Sequence, residues 1–195
     1  MASDGPSTTS ETDDGVLALD PPRRHVTTHD ATGRSVFCPA LPPTLTMHAV
    51  SGMRFADGYA VRELPLVLTD EADLRAFLSL PADTLYFPRA EGATVLRYCD
   101  WAPGAGLPMH RTESIDYGTV VFGRMELTLD SGETRTLHAG DSVVQRGTRH
   151  AWRNSSDREP ARMIFVVQGC RPVRVGGVDL VEHLPWGEGG EEASP

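Results

Sequence analysis

The sequence predicts an all-β protein, a sandwich or barrel of short strands with one short helix. Three observations lead there. Glycine and proline are frequent, 19 and 15 in 195 residues, and they fall between short apolar or alternating runs. The runs alternate at period two over four to nine residues, as half-buried strands do. Helical periodicity shows only once. Many short strands with Gly and Pro punctuation are the signature of a closed or two-layered β architecture.

Taken in order, residues 1–21 are rich in Ser, Thr, Asp and Gly, and a segment with so little to bury is expected to be a disordered tail. Arg24–Thr28 and Ser35–Phe37 read as a strand pair around the turn Asp30-Ala31-Thr32-Gly33. Tyr59–Leu66 alternates weakly. Thr69–Leu78 is the one helix: a Thr or Asp cap and an acidic first turn precede Leu74, Phe77 and Leu78 at helical spacing. Thr94–Trp101 alternates and stops at Pro103-Gly104. Tyr117–Phe122 leads into Met125, Leu127 and Leu129, with Arg124, Glu126, Thr128 and Asp130 on the opposite face, and Asp130-Ser131-Gly132-Glu133 closes a hairpin. Thr134–Leu137, Ser142–Gln145, Ala151–Asn154 and Ala161–Gln168 follow. Residues 22–186 are expected to form one domain with Trp186 as a closing anchor, and 187–195 a second flexible tail.

Composition excludes several functions. All 18 Lys+Arg residues are arginine. Without lysine there is no Schiff base to pyridoxal phosphate, no Walker-A phosphate loop and no kinase strand lysine. The net charge of −9 argues against a nucleic-acid partner. The longest apolar run, Met163–Val167, is far short of a membrane span, and the amino terminus lacks the basic and apolar regions of a secretory signal. Cys38, Cys99 and Cys170 are odd in number and widely spaced, which suits free thiols in a reducing compartment. A cytoplasmic location follows as the expectation. No G-x-S-x-G elbow supports a serine nucleophile.

Two central segments carry the chemistry. The first runs Gly104-Ala-Gly-Leu-Pro-Met-His110-Arg-Thr112-Glu113-Ser-Ile-Asp116-Tyr-Gly118 and on to Gly123. The second runs Gly140-Asp-Ser-Val-Val-Gln145-Arg146-Gly147-Thr-Arg-His150-Ala-Trp152-Arg-Asn154. Together they resemble the cupin superfamily, whose motifs read G-x5-H-x-H-x3–4-E-x6-G and G-x5-P-x-G-x2-H-x3-N. Gly104, His110 and Gly123 fit the first motif. Gly147, His150 and Asn154 fit the second, and Asn154 is the chain's single asparagine. The matched barrel core covers about residues 94–168. The flanking Arg23-Arg24-His25-Val26 and Asp30–Phe37 resemble the strand pair ahead of the barrel in small single-barrel cupins whose first motif also reads Met-His-Arg-Thr before Ile-Asp-Tyr-Gly. Similar proteins sit in fungal and bacterial pathways to aromatic or polyketide metabolites and often carry the label oxidoreductase.

The resemblance implies an antiparallel jelly-roll barrel with an N-terminal strand extension, a homodimer, one divalent metal ion (Fe(II), Zn(II) or Mn(II)) and a small-molecule substrate. It also exposes departures. Thr112 stands in the second histidine slot, Asp116 in the glutamate slot and Gln145 in the proline slot, and one residue is missing between Gly140 and Gly147. The expected metal ligands are therefore His110, Asp116 and His150, a two-imidazole, one-carboxylate set suited to non-haem Fe(II) and also to Zn(II). Glu113 is the competing carboxylate and, with Tyr117, a candidate catalytic residue, Glu113 as general acid/base. Trp101, Phe122 and Trp152 are candidate substrate walls. Of Gln145 and Arg146, one must face inward, so both are candidate substrate contacts. Asn154 is expected to be a structural turn residue, and His48, His138 and His183 to lie on the surface or in loops. Oxidoreductase chemistry, or dehydration, decarboxylation or isomerisation on the same ligands, is the expected activity. A non-catalytic barrel that binds a small ligand is the alternative.

Overall fold

A computed structural model describes residues 10–11, 17–62, 64–81, 87–88 and 92–185. Most of both expected tails and the expected Trp186 anchor lie outside the described residues. The strands are β1 (Ser10–Glu11), β2 (Leu17–Ala18), β3 (Thr27–His29), β4 (Ser35–Phe37), β5 (His48–Val50), β6 (Met53–Val61), β7 (Thr94–Trp101), β8 (Gly106–His110), β9 (Ser114–Phe122), β10 (Arg124–Leu129), β11 (Thr134–His138), β12 (Ser142–Arg146), β13 (His150–Asn154), β14 (Ala161–Gly169), β15 (Val173–Val175) and β16 (Val178–Leu180).

Two antiparallel sheets make the body of a jelly roll. One runs β11-β10-β13-β8 and the other β12-β9-β14-β7-β6-β5. Between them lies a core drawn from both: Met125, Leu127, Leu137 and Trp152 from the first, Phe55, Trp101, Val120, Met163 and Phe165 from the second. Every second residue of a strand faces inward. In β9 these are Ser114, Asp116, Gly118 and Val120, all buried, while Tyr117 and Val121 face out. Gly118 is required there, because a Cβ on it would stand 2.6 Å from the Phe165 ring. Gly123, at φ 72°, turns β9 into β10, and a Cβ there would stand 2.6 Å from the Pro160 carbonyl oxygen. The hairpin expected at Asp130–Glu133 is present, closed by Leu129 N–H to Glu133 O at 2.9 Å and Gly132 N–H to Leu129 O at 2.9 Å.

Several boundaries differ from expectation. The strand placed at Tyr59–Leu66 is β6, which begins at Met53 and ends at Val61, opposite Thr94, where its partner β7 begins. The expected strand at Arg24–Thr28 is shorter and later, at Thr27–His29. The helix is split into one 3-10 turn, Thr69–Glu71, and α1 (Ala72–Leu78). No side chain caps either piece. Asp70 and Glu71 instead take left-handed φ values of 54° and 55°. α1 nonetheless packs as its pattern dictates: Leu74 is buried, and Phe77 stacks on Tyr59 with centroids 4.7 Å apart. Leu19 is buried, its carbonyl accepts from Arg54 at 2.8 Å, and the Asp20 carbonyl accepts from Arg162 at 2.8 Å. Both arginines also grip the buried Asp100, at 2.8 and 2.6 Å. Leu19 and Asp20 are thus held against the barrel.

Cys38, Cys99 and Cys170 are free thiols, and burial pushes Cys99 up to about 12. No helix among the described residues is long and apolar enough to cross a membrane.

Candidate functional site

The turns β8–β9 and β12–β13 meet at one end of the barrel, joined by Gly147 N–H to Ser114 O at 3.0 Å. This places the last inward residue of β8, His110, beside the first of β13, His150, as directly registered partners. Their ring centroids are 4.2 Å apart with planes at 59°. Each ring is tied by its own turn. His110 Nδ1 lies 2.8 Å from the Pro108 carbonyl oxygen, and His150 Nδ1 lies 2.8 Å from that of Thr148. A carbonyl only accepts, so both Nδ1 atoms carry hydrogen and both lone pairs reside on Nε2. Burial holds both rings neutral. It pushes His110 down to about 3, helped by its neighbour His150, and lowers His150 as well. This is the state in which imidazole binds a metal, oriented by an outer hydrogen bond to backbone.

Asp116 lies on the inner face of the opposite sheet. Burial raises its carboxyl to about 6, against the pull of the Ser114 hydrogen bond and the Arg97 charge. Ser114 Oγ donates to Asp116 Oδ1 at 2.6 Å and lies 2.8 Å from Thr112 Oγ1. Gln145 is the registered partner of Asp116 across β12 and β9. It is 3% exposed, and neither Oε1 nor Nε2 has a hydrogen-bond partner. Deeper on the same sheet, Arg97 faces inward and is neutralised by Asp57 through two contacts of 2.7 and 3.2 Å.

The mouth is partly roofed by the carboxy-terminal segment. Arg111 and His183 exchange backbone hydrogen bonds of 2.9 Å each way, and Glu182 N–H donates to Glu113 Oε1 at 3.1 Å. Beside that contact is a pocket of about 120 Å³ lined by Phe87, Thr112, Glu113, Ser114, Val167 and Glu182. It is slightly smaller than an apolar cavity known to take benzene, roughly 150 Å³.

Residues 97–167 match the cupin domain family. Phomopsin biosynthesis cluster protein D of Diaporthe leptostromiformis is 44% identical over 160 residues, covering 80% of this chain and 82% of the relative. The chain belongs to the cupin superfamily. Among further relatives of this cupin, Oryzines biosynthesis cluster protein J of Aspergillus oryzae is 35% identical over 162 residues, 83% of this chain and 90% of the relative. The cupin-domain-containing oxidoreductase srdB of Neurospora crassa is 36% identical over 160 residues, 82% of this chain and 79% of the relative. The cupin domain of Schizosaccharomyces pombe Cnp3 superposes with a TM-score of 0.48 at 12% identity, covering 76% of this chain and 88% of that one.

The barrel sorts the residues proposed from sequence. His110 and His150 are brought together, with Gln145 and Asp116 on the facing wall. The expected three-donor set is not gathered: among the described residues, no group of three His, Cys, Asp or Glu side chains is placed to hold a metal ion. Asp116 is the short side chain and is held by Ser114. Glu113 sits at the rim, bonded to Glu182, rather than beside the histidines. Tyr117 is corrected outright: it is 48% exposed on the outer face, because it alternates with the inward Asp116 and Gly118. Phe122 and Arg146 are also exposed, Arg146 because its neighbour Gln145 takes the inward position. Trp101 and Trp152 are deep core residues, both edge-on to Phe165 at 6.4 and 5.9 Å. Trp152 also meets the His150 ring at 6.3 Å, so it backs the pair. Asn154 is structural as expected: Nδ2 donates to Glu159 O at 2.8 Å and Ala102 O at 3.1 Å, and Oδ1 accepts from Ser156 N–H at 3.0 Å.

Sequence reasoning missed Ser114, the Arg97–Asp57 pair and His183. Ser114 was legible from alternation with Asp116. Arg97 was legible from the inward parity of Val95, Cys99 and Trp101. His183 had no local signal, since a long-range backbone bridge puts it close enough for its charge to lower His110 further.

Proposed function

We propose that this cupin is a metal-dependent enzyme of oxidoreductase type acting on a small aromatic or polyketide-type metabolite. The observation that carries the reading is the His110–His150 pair: buried, neutral and fixed through Nδ1 so that Nε2 serves as donor. Neutral imidazoles beside an amide or carboxyl oxygen suit a divalent Fe, Zn or Mn ion. When bound, that ion would supply Lewis acidity toward a substrate carbonyl and, if it is iron, redox capacity. The chain's own groups do the rest. Asp116, with its carboxyl near 6, exchanges a proton with the interior at neutral pH, and Ser114 supplies the hydrogen bond that steadies its charged form. Glu113 and Thr112 line the pocket through which a small ring would approach. The oxidoreductase names of relatives such as srdB support redox chemistry over dehydration or isomerisation.

The test is elemental analysis of protein purified without chelators, repeated on His110→Ala and His150→Ala. Near-stoichiometric metal in the wild type, lost in both variants, is the expected result. Equal sub-stoichiometric metal in all three proteins sinks the reading. The second reading, a non-catalytic ligand-binding barrel, is favoured by the ungathered third donor and by Thr112 in place of a histidine. A metal-free protein that still binds an aromatic ligand would establish it.

A further inference from the structure

We infer that Gln145 supplies the third protein ligand to a divalent cation held by His110 and His150, through its amide Oε1. The inference rests on the metal-dependent reading above and names the donor that the reading lacks.

Place comes first. Gln145 is the last inward residue of β12, and the next turn delivers His150 as the first inward residue of β13. The two sit at the same end of the barrel on facing sheets. Such sheets pack about 10 Å apart, a gap that two inward side chains close between them. Asp116, registered beside Gln145, has a side chain one methylene shorter and is occupied by Ser114.

The second observation is the amide itself. Oε1 and Nε2 are both buried without a partner, and exchanging them cannot help, since both are orphaned. Leaving a buried polar group unmet costs about 1–3 kcal/mol, and a leucine would fill this position without that cost. The fold therefore gives no reason for a glutamine. Both atoms are closed to bulk solvent. A bare cation needs less room: its bonds to oxygen are about 2.0–2.2 Å, against about 2.7–3.2 Å for a hydrogen bond.

The assignment has a chemical consequence. Two imidazoles and an amide are all neutral, so none of the three ligands offsets the cation's double charge, and among the described residues the one acid close by is Asp116, registered beside Gln145. A site of this kind selects a substrate that brings its own negative oxygen, an enolate or phenolate, to the open positions.

The experiment is titration of the chelator-treated full chain with Co(II), followed by its visible absorption and by calorimetry. Gln145→Leu should weaken Co(II) by roughly 10–100-fold, the range seen when metal-site support is removed. Gln145→Glu should restore or tighten binding and change the visible spectrum. Asp116→Asn should cost less than Gln145→Leu does, since it removes a nearby charge and not a ligand. Thermal melts of the metal-free variants separate lost ligands from lost fold. If Gln145→Leu binds Co(II) as wild type does, or if Asp116→Asn loses as much as His150→Ala, the assignment to Gln145 is overturned while the metal reading stands. If wild type binds no Co(II), both fall together.

Discussion

At one end of the barrel interior, Val120, Met125 and Met163 are closed off from water and pack around Trp101, Trp152 and Phe165. At the other end, His110, His150, Asp116 and Gln145 are nearly as buried, but burial acts on them in the opposite direction. Apolar groups gain roughly 25 cal/mol for each Å² removed from water. The polar groups lose hydration and answer by shifting their titration or by going unpartnered. One barrel thus spends half its interior on holding together and half on chemistry. The mismatch between local cost and global fold is what marks the second half as the functional one.

The contrast is broken most strongly at the apolar end. Met163→Ala removes a fully buried side chain from the core it shares with Trp101, Val120, Trp152 and Phe165. It should cost about 3–4 kcal/mol in denaturant unfolding, with Co(II) affinity unchanged. A large affinity loss from this variant would mean the two ends are not separable.

Asn154→Ala is the next largest. The side chain pins the β13 end to the Trp101–Ala102 and Ser156–Glu159 backbone. Its removal should cost about 2–3 kcal/mol, because backbone groups are left buried and unpaired. The loss should appear in the melting temperature and not in the metal content at low temperature.

These two residues also show how much was legible in the sequence. Asn154 and Met163 could be placed from motif spacing and strand parity, and so could His110 and His150, since alternation fixes which side of a strand each residue faces. Parity also spoke against Tyr117, which sits one residue from the inward Asp116. The motif slots located the site but not its donor set. Whether Asp116 or Gln145 reaches the histidines depends on side-chain length and on the Ser114 hydroxyl, neither of which leaves a periodic signal. The Glu182–His183 strap is a contact across about 70 residues to Arg111 and Glu113, formed by three backbone N–H groups and only one side chain, the Glu113 carboxylate.

The polar end can be read through pH in chelator-treated protein. His110 has a folded value of about 3, well below its ordinary 6.5. Its contribution is therefore fully present above 6.5 and lost as pH falls toward 3, because the unfolded chain takes up a proton that the folded one refuses. His150 shifts in the same direction. Asp116 runs the other way. Its folded value near 6 exceeds its ordinary 3.8, so the folded protein gains a proton first on acidification and is stabilised relative to the unfolded chain between 6 and 3.8. Asp116→Asn has no such gain. Its melting temperature should fall more steeply from pH 6 to pH 4 than that of wild type, by an amount equivalent to about 2 kcal/mol. Parallel curves would place the Asp116 titration at its ordinary value and remove it as a proton-exchanging group.

The smallest expected effect is the most discriminating, because its sign is opposite to that of most core substitutions. Gln145→Leu replaces an amide whose two polar atoms have no partner by a side chain of similar size with nothing to satisfy. Desolvating the orphaned amide opposes folding, while a buried leucine favours it. The metal-free variant should therefore be more stable than wild type by about 1 kcal/mol, a rise of roughly 2–4 °C in melting temperature for a chain of this size. Adding Co(II) should reverse the order, since only the wild type gains the full binding energy. A variant less stable than wild type in both conditions would mean that Gln145 is held by the fold after all. The crossing of the two orders is what separates a glutamine kept for a ligand from one kept for packing.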